Sequence, residues 1–402
     1  MLSSFTVDNF KSLVNVTFQP KGVNVIVGPN NAGKTNLCQA LNFLSLTSRL
    51  SLDDAAAACT AEPWNLLNVY VPNRSVSLTA TCELTLAEEN LVFTYELTLN
   101  SQTGMRAETR GRPLAISEEV LRLSGGRFAD TILLENRNGQ VRLLHEKRFL
   151  KGLSSGSEPA YVDTVAPTDG TMLCRLYDLE TNQRANLFKR YLNSWGYYNF
   201  DATRLRNKQA RAMEEVLEGT GANLSSVMFN LHNGRPRIER DLIEAVKLLE
   251  PRLDLLSFQT PDPEHVYMFF EDKRANKFGV DNISDGTLRY LAMSYLILAG
   301  RERINAVGGA PVITIEEPEN GIFVGYLRNL FERIEPSGRQ GQFIFTSHNP
   351  YFIDLFDGSV EGLFVVKAGE THSILAKPNP ASLRDRLGKF SLGEMHFRGL
   401  LE

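Results

Sequence analysis

The chain has 402 residues, 43% of them hydrophobic and 22% charged, a composition that suits a globular protein of two or three domains able to bury its core without disulfides or a structural metal. Lys and Arg number 43 against 47 Asp and Glu, so the formal charge of −4 excludes a uniformly basic, histone-like polyanion binder and leaves only local basic patches open. Cys38, Cys59, Cys82 and Cys174 form no CxxC pair, which argues against a zinc ribbon and suits a reducing compartment.

No apolar run reaches the roughly 18 residues of a bilayer span, and no charged-then-apolar leader opens the chain. A cytoplasmic protein with no membrane partner is expected.

In chain order, Val23–Val27 is a short apolar run suited to a buried strand, and a helix is expected from Gly33 to Ser45. Between them, Gly28-Pro29-Asn30-Asn31-Ala32-Gly33-Lys34-Thr35 fits G-x-x-x-x-G-K-[ST]. The residue types explain the chemistry. Glycines let backbone N–H groups turn inward around a phosphate, and the positive end of the following helix favours the anion. Lys34 can reach the β- and γ-phosphates, and the Thr35 hydroxyl can bind Mg²⁺. The competing reading is a chance match in a Gly/Asn turn; the flanking strand and helix argue against it.

Residues 76–86 and 91–99 alternate apolar and polar side chains with a polar break between, which predicts an antiparallel hairpin with one wet face. Shorter strand-like pieces follow at Ile132–Leu134 and Val141–Leu144. Residues 150–170, rich in Gly, Ser, Pro and Thr, read as a long loop. From Cys174 to about Leu256 the pattern is helical, with Leu242, Ile243, Val246 and Leu249 on one face. Arg204, Arg206, Lys208 and Arg211, then Arg235, Arg237 and Arg240, are candidates for DNA phosphates, or else a solvated helix face, since Glu214 and Glu215 follow the first group.

Val266–Phe270 reads as a strand. Ile283-Ser284-Asp285-Gly286-Thr287 opens a helix with Ser284 as N-cap. Val312–Ile315 forms an apolar strand that runs into Glu316-Glu317-Pro318-Glu319-Asn320. A carboxylate at a strand end can hold Mg²⁺ and the next can orient and deprotonate water, which makes Glu316 the metal-side candidate and Glu317 the general base. Phe343–Phe345 is a further apolar strand, followed by Thr346-Ser347-His348-Asn349-Pro350, and a β-rich tail is expected to close the chain.

P-loop, Ser-x-Gly helix start, strand with Glu-Glu and strand with His occur in an order that resembles ABC-type ATPases, and more closely the RecF/SMC/OLD-like branch with short arms. Asn9-Phe10-Lys11-Ser12 resembles that branch's opening strand-turn. The likeness covers residues 1–100 and 265–375 and is weak between them. It implies an α/β fold: an ABC-ATPase head, a P-loop NTPase with an antiparallel β subdomain and a helical insert. The expected division is 1–158 for an N-terminal lobe, 159–258 for the insert or arm, and 259–402 for a C-terminal lobe.

The resemblance further implies that ATP is held by Gly28, Asn30, Asn31, Ala32, Gly33, Lys34, Thr35 and Asn36, with Ser284 and Gly286 reaching the nucleotide of an opposite subunit. Lys34, Glu317 and His348, the switch histidine, are the implied catalytic set, and Thr35 and Glu316 the implied Mg²⁺ ligands. A homodimer or higher homo-oligomer through the heads follows. The chain departs from the family in three ways. Ile-Ser-Asp-Gly-Thr replaces the transporter-type Leu-Ser-Gly-Gly-Gln, which disfavours transport. Glu316 stands where most relatives have Asp, so slow hydrolysis is expected. The Q-loop glutamine is not placed.

Three functions compete: an ATP-switched dimer that acts on DNA in repair or controls a separate nuclease or toxin in antiphage defence, a stand-alone nuclease, and an ATP-clamped scaffold with little turnover. The 54 residues after His348 are too few for the Toprim domain of OLD nucleases and show no carboxylate pattern of that kind, so a nuclease is expected on another polypeptide. The apolar tail, with Phe390, Leu392, Met395, Phe397, Leu400 and Leu401, is expected either to pack on its own domain or to dock that partner.

Overall fold

The computed structural model describes every residue except 73, 102–113, 127, 156–160, 168, 178–180, 208, 211–215, 263–264, 300–306, 335–337, 339–340 and 402. Among the expected phosphate contacts and their acidic neighbours, Lys208, Arg211, Glu214 and Glu215 lie outside the described residues.

The N-terminal half is dominated by a wholly antiparallel sheet. Its strands are β1 (Leu2–Asp8), β2 (Val16–Phe18), β4 (Ser75–Leu86), β5 (Glu89–Ser101), β6 (Leu114–Gly125), β7 (Phe128–Arg137), β8 (Gln140–Leu144) and β9 (Tyr161–Val165), in the order β2-β1-β4-β5-β6-β7-β8-β9. The period-two pattern expected at 76–99 is β4 and β5, buried on alternate residues. Ala87 and Glu88, at φ 46° and 68°, make the two-residue turn whose twist matches a hairpin.

The second sheet is mostly parallel. It contains β3 (Val23–Val27), β10 (Gly196–Tyr198), β15 (Val312–Glu316), β16 (Gln342–Ser347), β17 (Leu363–Ala368) and β18 (Ser373–Ala376), ordered β10-β15-β16-β3-β17-β18. All neighbours are parallel except the final β17–β18 hairpin. Because successive side chains point to opposite faces, each strand feeds two cores. Ile26 and Ile344 pack with the antiparallel sheet, whereas Val25, Val27, Phe343 and Phe345 pack on the other side. Helix α1 (Lys34–Thr47) is wedged between the two sheets, with Leu37, Leu41, Phe43 and Leu44 in the first core. A third, smaller sheet holds β11 (Gln209–Ala210), β12 (Leu253–Asp262), β13 (His265–Asp272) and β14 (Lys277–Gly279).

Helices α2 (Leu52–Ala57), α3 (Glu146–Ser155), α4 (Met172–Arg175), α5 (Gln183–Asn193), α6 (Ala202–Leu205), α7 (Leu224–Gly234), α8 (Pro236–Val246) and α9 (Asp285–Leu298) follow α1. Four more α-helices are described in the C-terminal part. They are α10 (Val324–Phe331), α11 (Pro350–Ile353) and the tail pair α12 (Pro380–Leu387) and α13 (Leu392–Phe397).

Several local expectations are corrected. Residues 150–170 are not one loop, because α3 and β9 occupy part of them; Phe149 gives α3 a buried anchor. The stretch 174–256 is not uniformly helical: β10 and the start of β12 interrupt it, and β10 is a strand because it pairs with β15. The tail is a hairpin followed by two helices rather than β-rich throughout. Leu392, Met395 and Leu401 are buried within the chain's own core, while Phe397 stays exposed. No described helix is long and apolar enough to cross a membrane.

Candidate functional site

The P-loop joins β3 to α1 at the C-terminal edge of the parallel sheet, where strand ends β15 and β16 also emerge. Asn31, at φ 64°, and Gly33, at φ 107°, give the loop its curl. A Cβ on Gly33 would lie 2.1 Å from Ser373 Oγ and 2.8 Å from Ser12 Oγ, so the loop is wrapped closely by distant parts of the chain. Those two serines brace it. Ser373 Oγ donates to the Ala32 carbonyl (2.6 Å) and meets Ser12 Oγ (2.6 Å), and Asn36 Nδ2 donates to Ser12 Oγ (2.7 Å). Ser12 belongs to the opening Asn-Phe-Lys-Ser turn, which gives that motif a physical role. Ser373 carried no signal in the sequence.

Lys34 Nζ donates to the carbonyls of Gly28 (2.7 Å) and Pro29 (2.9 Å) and is mostly buried. Burial lowers its pKa, opposed by the charges of Glu317, Glu316 and Glu319. Around the loop lies a cleft of ≈ 510 Å³ walled by Asn30, Asn31, Gly33, Lys34, Thr35 and Asn36 on one side and by Glu317 and Thr346 on another. Tyr70 and the β17–β18 turn, with Thr371 and His372, close its outer edge.

The two carboxylates differ sharply in surroundings. Glu316 is the last residue of β15 and is 8% exposed. Asn199 Nδ2, just past β10, donates to its Oε2 (3.4 Å), while its buried Oε1 has no hydrogen-bond partner among the described residues. Burial pushes the Glu316 carboxyl up, and contacts from Thr35 and Tyr197 pull it back. Glu317 turns away from the strand at φ 41°, an uncommon conformation for a residue with a side chain, and its N–H donates to the Thr346 carbonyl (3.0 Å). Its carboxylate is held from two sides, by Asn320 Nδ2 (2.8 Å) and by His348 Nδ1 (3.2 Å). Below them, Glu319 is 6% exposed, accepts from Ser347 Oγ, and is pushed up by burial.

Thus P-loop and Glu317 wall the cleft, Glu316 meets it through Thr35 and His348 through Glu317, whereas Ser284 and Gly286 are not among its walls. Ser284 caps α9, its Oγ accepting from Thr287 N–H (3.1 Å). A Cβ on Gly286 would lie 2.2 Å from the Gly321 carbonyl, so only glycine lets α9 approach the turn after β15 this closely. Sequence reasoning missed Asn199, Tyr197 and Asn320. Asn199 follows a strand of only three residues, too short to show a period.

The donor set fits a magnesium nucleotide. No group of three or more metal-ligating His, Cys, Asp or Glu side chains forms among the described residues. Mg²⁺ ordinarily takes one or two protein oxygens together with substrate phosphates, and the unpartnered Glu316 Oε1 together with the Thr35 hydroxyl, which contacts the Glu316 carboxylate, offers that. Such a metal would neutralise phosphate charge.

A P-loop on a parallel platform, an antiparallel subdomain beside it, and a Glu-Glu strand next to a His strand define an ABC-type ATPase of the RecF/SMC branch. The family model for "AAA domain, putative AbiEii toxin, Type IV TA system" matches residues 23–354, and the chain belongs to that family, whose fold is that of ATPases. The chain is 31% identical over 80 residues to the DNA replication and repair protein RecF of Chlorobium luteolum (strain DSM 273 / BCRC 81028 / 2530), an alignment that spans 19% of this chain and 22% of that protein. Among solved structures, the SMC head bound to the C-winged helix domain of ScpA shares the fold, with a TM-score of 0.56 and 13% identity over 96% of this chain and 99% of that one. The SMC head domain from Thermotoga maritima aligns with 13% identity over 94% of this chain and 99% of its own, at a TM-score of 0.43.

Proposed function

We propose that the chain is an ATP-binding and ATP-hydrolysing switch that pairs head to head with a second copy and controls a separate effector, a nuclease or toxin, in bacterial antiphage defence. The observation that carries the pairing is the split of the site. The P-loop and Glu317 wall a single cleft, and Glu316 and His348 join it by contact with Thr35 and Glu317, while Ser284 and Gly286 neither line that cleft nor have a described hydrogen bond or ion pair to its walls. A two-fold pair places the same surface on both subunits and completes both clefts at once.

In this reading Gly28 to Asn36 hold ATP, Thr35 and Glu316 hold Mg²⁺, Glu317 is the general base, and His348 with Asn320 aims it. Lobes 1–158 and 259–402 build the head, and segment 159–258 links them. A toxin–antitoxin setting is supported by the family's description, "AAA domain, putative AbiEii toxin, Type IV TA system", which names no separate effector. A second reading, a DNA repair ATPase, is favoured by the RecF likeness and by Arg237 and Arg240, which are exposed on α8.

Phosphate release and calorimetric ATP binding by the full chain test the catalytic half. Wild type is expected to turn over slowly, Lys34→Ala to lose ATP binding, and Glu317→Gln to bind without turnover. ATP affinity unchanged in Lys34→Ala would refute the site. Pairing without turnover in wild type would make the protein a clamp rather than a motor. Copurification of a nuclease or toxin from the native host supports the effector role; recovery of the chain alone, with activity strongly stimulated by DNA ends, favours repair.

A further inference from the structure

The tip of α9 carries a charge at odds with meeting a polyphosphate. Asp285 lies between Ser284 and Gly286, and its side chain is 59% exposed. A carboxylate is favoured at a helix N-terminus, yet at this tip it would repel a nucleotide. Arg206 faces it. Its Nη1 lies 2.6 Å from Asp285 Oδ1 and donates to the Ala202 carbonyl (3.0 Å), and its Nη2 donates to the Ile283 carbonyl (2.6 Å). With its side chain only 21% exposed, this arginine is not the solvated or DNA-facing residue that the basic cluster suggested.

Its backbone is also fixed. Arg206 caps the C-terminus of α6, whose N-cap Asp201 accepts from the N–H groups of Thr203 (2.8 Å) and Arg204 (3.2 Å). The same short segment begins at Asn199, which touches Glu316.

We propose that Arg206 is a positioning residue for the α9 tip: by neutralising Asp285 and pinning the Ile283 carbonyl, it lets Ser284 and Gly286 approach the nucleotide triphosphate held by a second copy of the chain. This rests on the head-to-head reading and adds to it the group that makes an acidic tip compatible with a polyanion.

The test uses the full chain in a Glu317→Gln background with ATP and Mg²⁺, its self-association followed by analytical ultracentrifugation. Arg206→Ala is expected to weaken ATP-dependent pairing at least about tenfold, because it leaves the Asp285 carboxylate unneutralised against a polyphosphate, and like charges juxtaposed at an interface repel. The defect should shrink at high salt, which screens the exposed carboxylate. Adding Asp285→Asn should restore most of the pairing. An arginine that merely held the fold together would lower the melting temperature alike with and without that second change, and pairing would not return. Undiminished pairing in Arg206→Ala, or a defect that Asp285→Asn leaves in place, overturns the proposal alone. Failure of the Glu317→Gln parent to pair with ATP removes the head-to-head reading and the proposal with it.

Discussion

Gly33→Ala is a small change whose consequence can be worked from the geometry of the P-loop. Gly33 sits at φ 107°, a conformation that costs an ordinary residue about 1–2 kcal/mol. The new methyl carbon would lie 2.1 Å from Ser373 Oγ, inside any contact distance. Relief requires Ser373 to swing away, which breaks its bonds to the Ala32 carbonyl and to Ser12 Oγ. Each such bond contributes about 1 kcal/mol net. Strain and lost bonds together reach about 3–4 kcal/mol; the free loop sheds that cost by leaving its curl, so rebuilding the cradle around ATP costs the same amount, more than a hundredfold in affinity at ~1.4 kcal/mol per tenfold. The variant should keep most of its fold, because the damage is confined to the loop and its brace. Isothermal titration calorimetry with ATP measures the loss, and Ser373→Gly added to Gly33→Ala should recover part of it by opening space. Wild-type affinity in Gly33→Ala, or no recovery in the double variant, would refute the bracing argument.

Two further outcomes follow from the carboxylates. Burial raises Glu316 and Glu319 above their ordinary value of 4.5. The folded state then binds more protons than the unfolded one, so stability falls as pH climbs through the raised values. Glu316→Gln and Glu319→Gln should therefore melt higher than wild type at pH 8 and lose that advantage near pH 4.5; lower melting at pH 8 in scanning fluorimetry would contradict this. His348→Ala and Asn320→Ala should each slow phosphate release about tenfold or more with ATP affinity retained. Because both hold the Glu317 carboxylate, the double variant should lose less than the product of the two.

What the sequence made legible follows the physics of each element. The P-loop announced itself because a phosphate cradle needs glycines at set spacing between a strand and a helix. The β4–β5 hairpin showed through its period of two, since one face of that sheet is buried and the other wet. The Glu316-Glu317 strand end was visible because uncharged aliphatics run straight into carboxylates. Hidden elements are those defined by pairing rather than pattern. Gly196–Tyr198 is a strand only because β15 lies beside it, and Asn199 reaches Glu316 only through that pairing. The Ser12–Ser373 brace joins residues 361 positions apart, a separation no local signal bridges. Arg206 looked like part of a basic cluster because composition cannot tell a solvated guanidinium from one spent on Asp285 and two carbonyls.

The central claim is that ATP held by one chain is completed by the α9 tip of another. Light scattering of the full-length Glu317→Gln protein, with Mg²⁺ and either ATP or ADP, tests it most directly. The expected result is a monomer without nucleotide or with ADP, a dimer with ATP, and no dimer when Lys34→Ala is added. A monomer with saturating ATP, or a dimer that forms equally well without nucleotide and in Lys34→Ala, would contradict it.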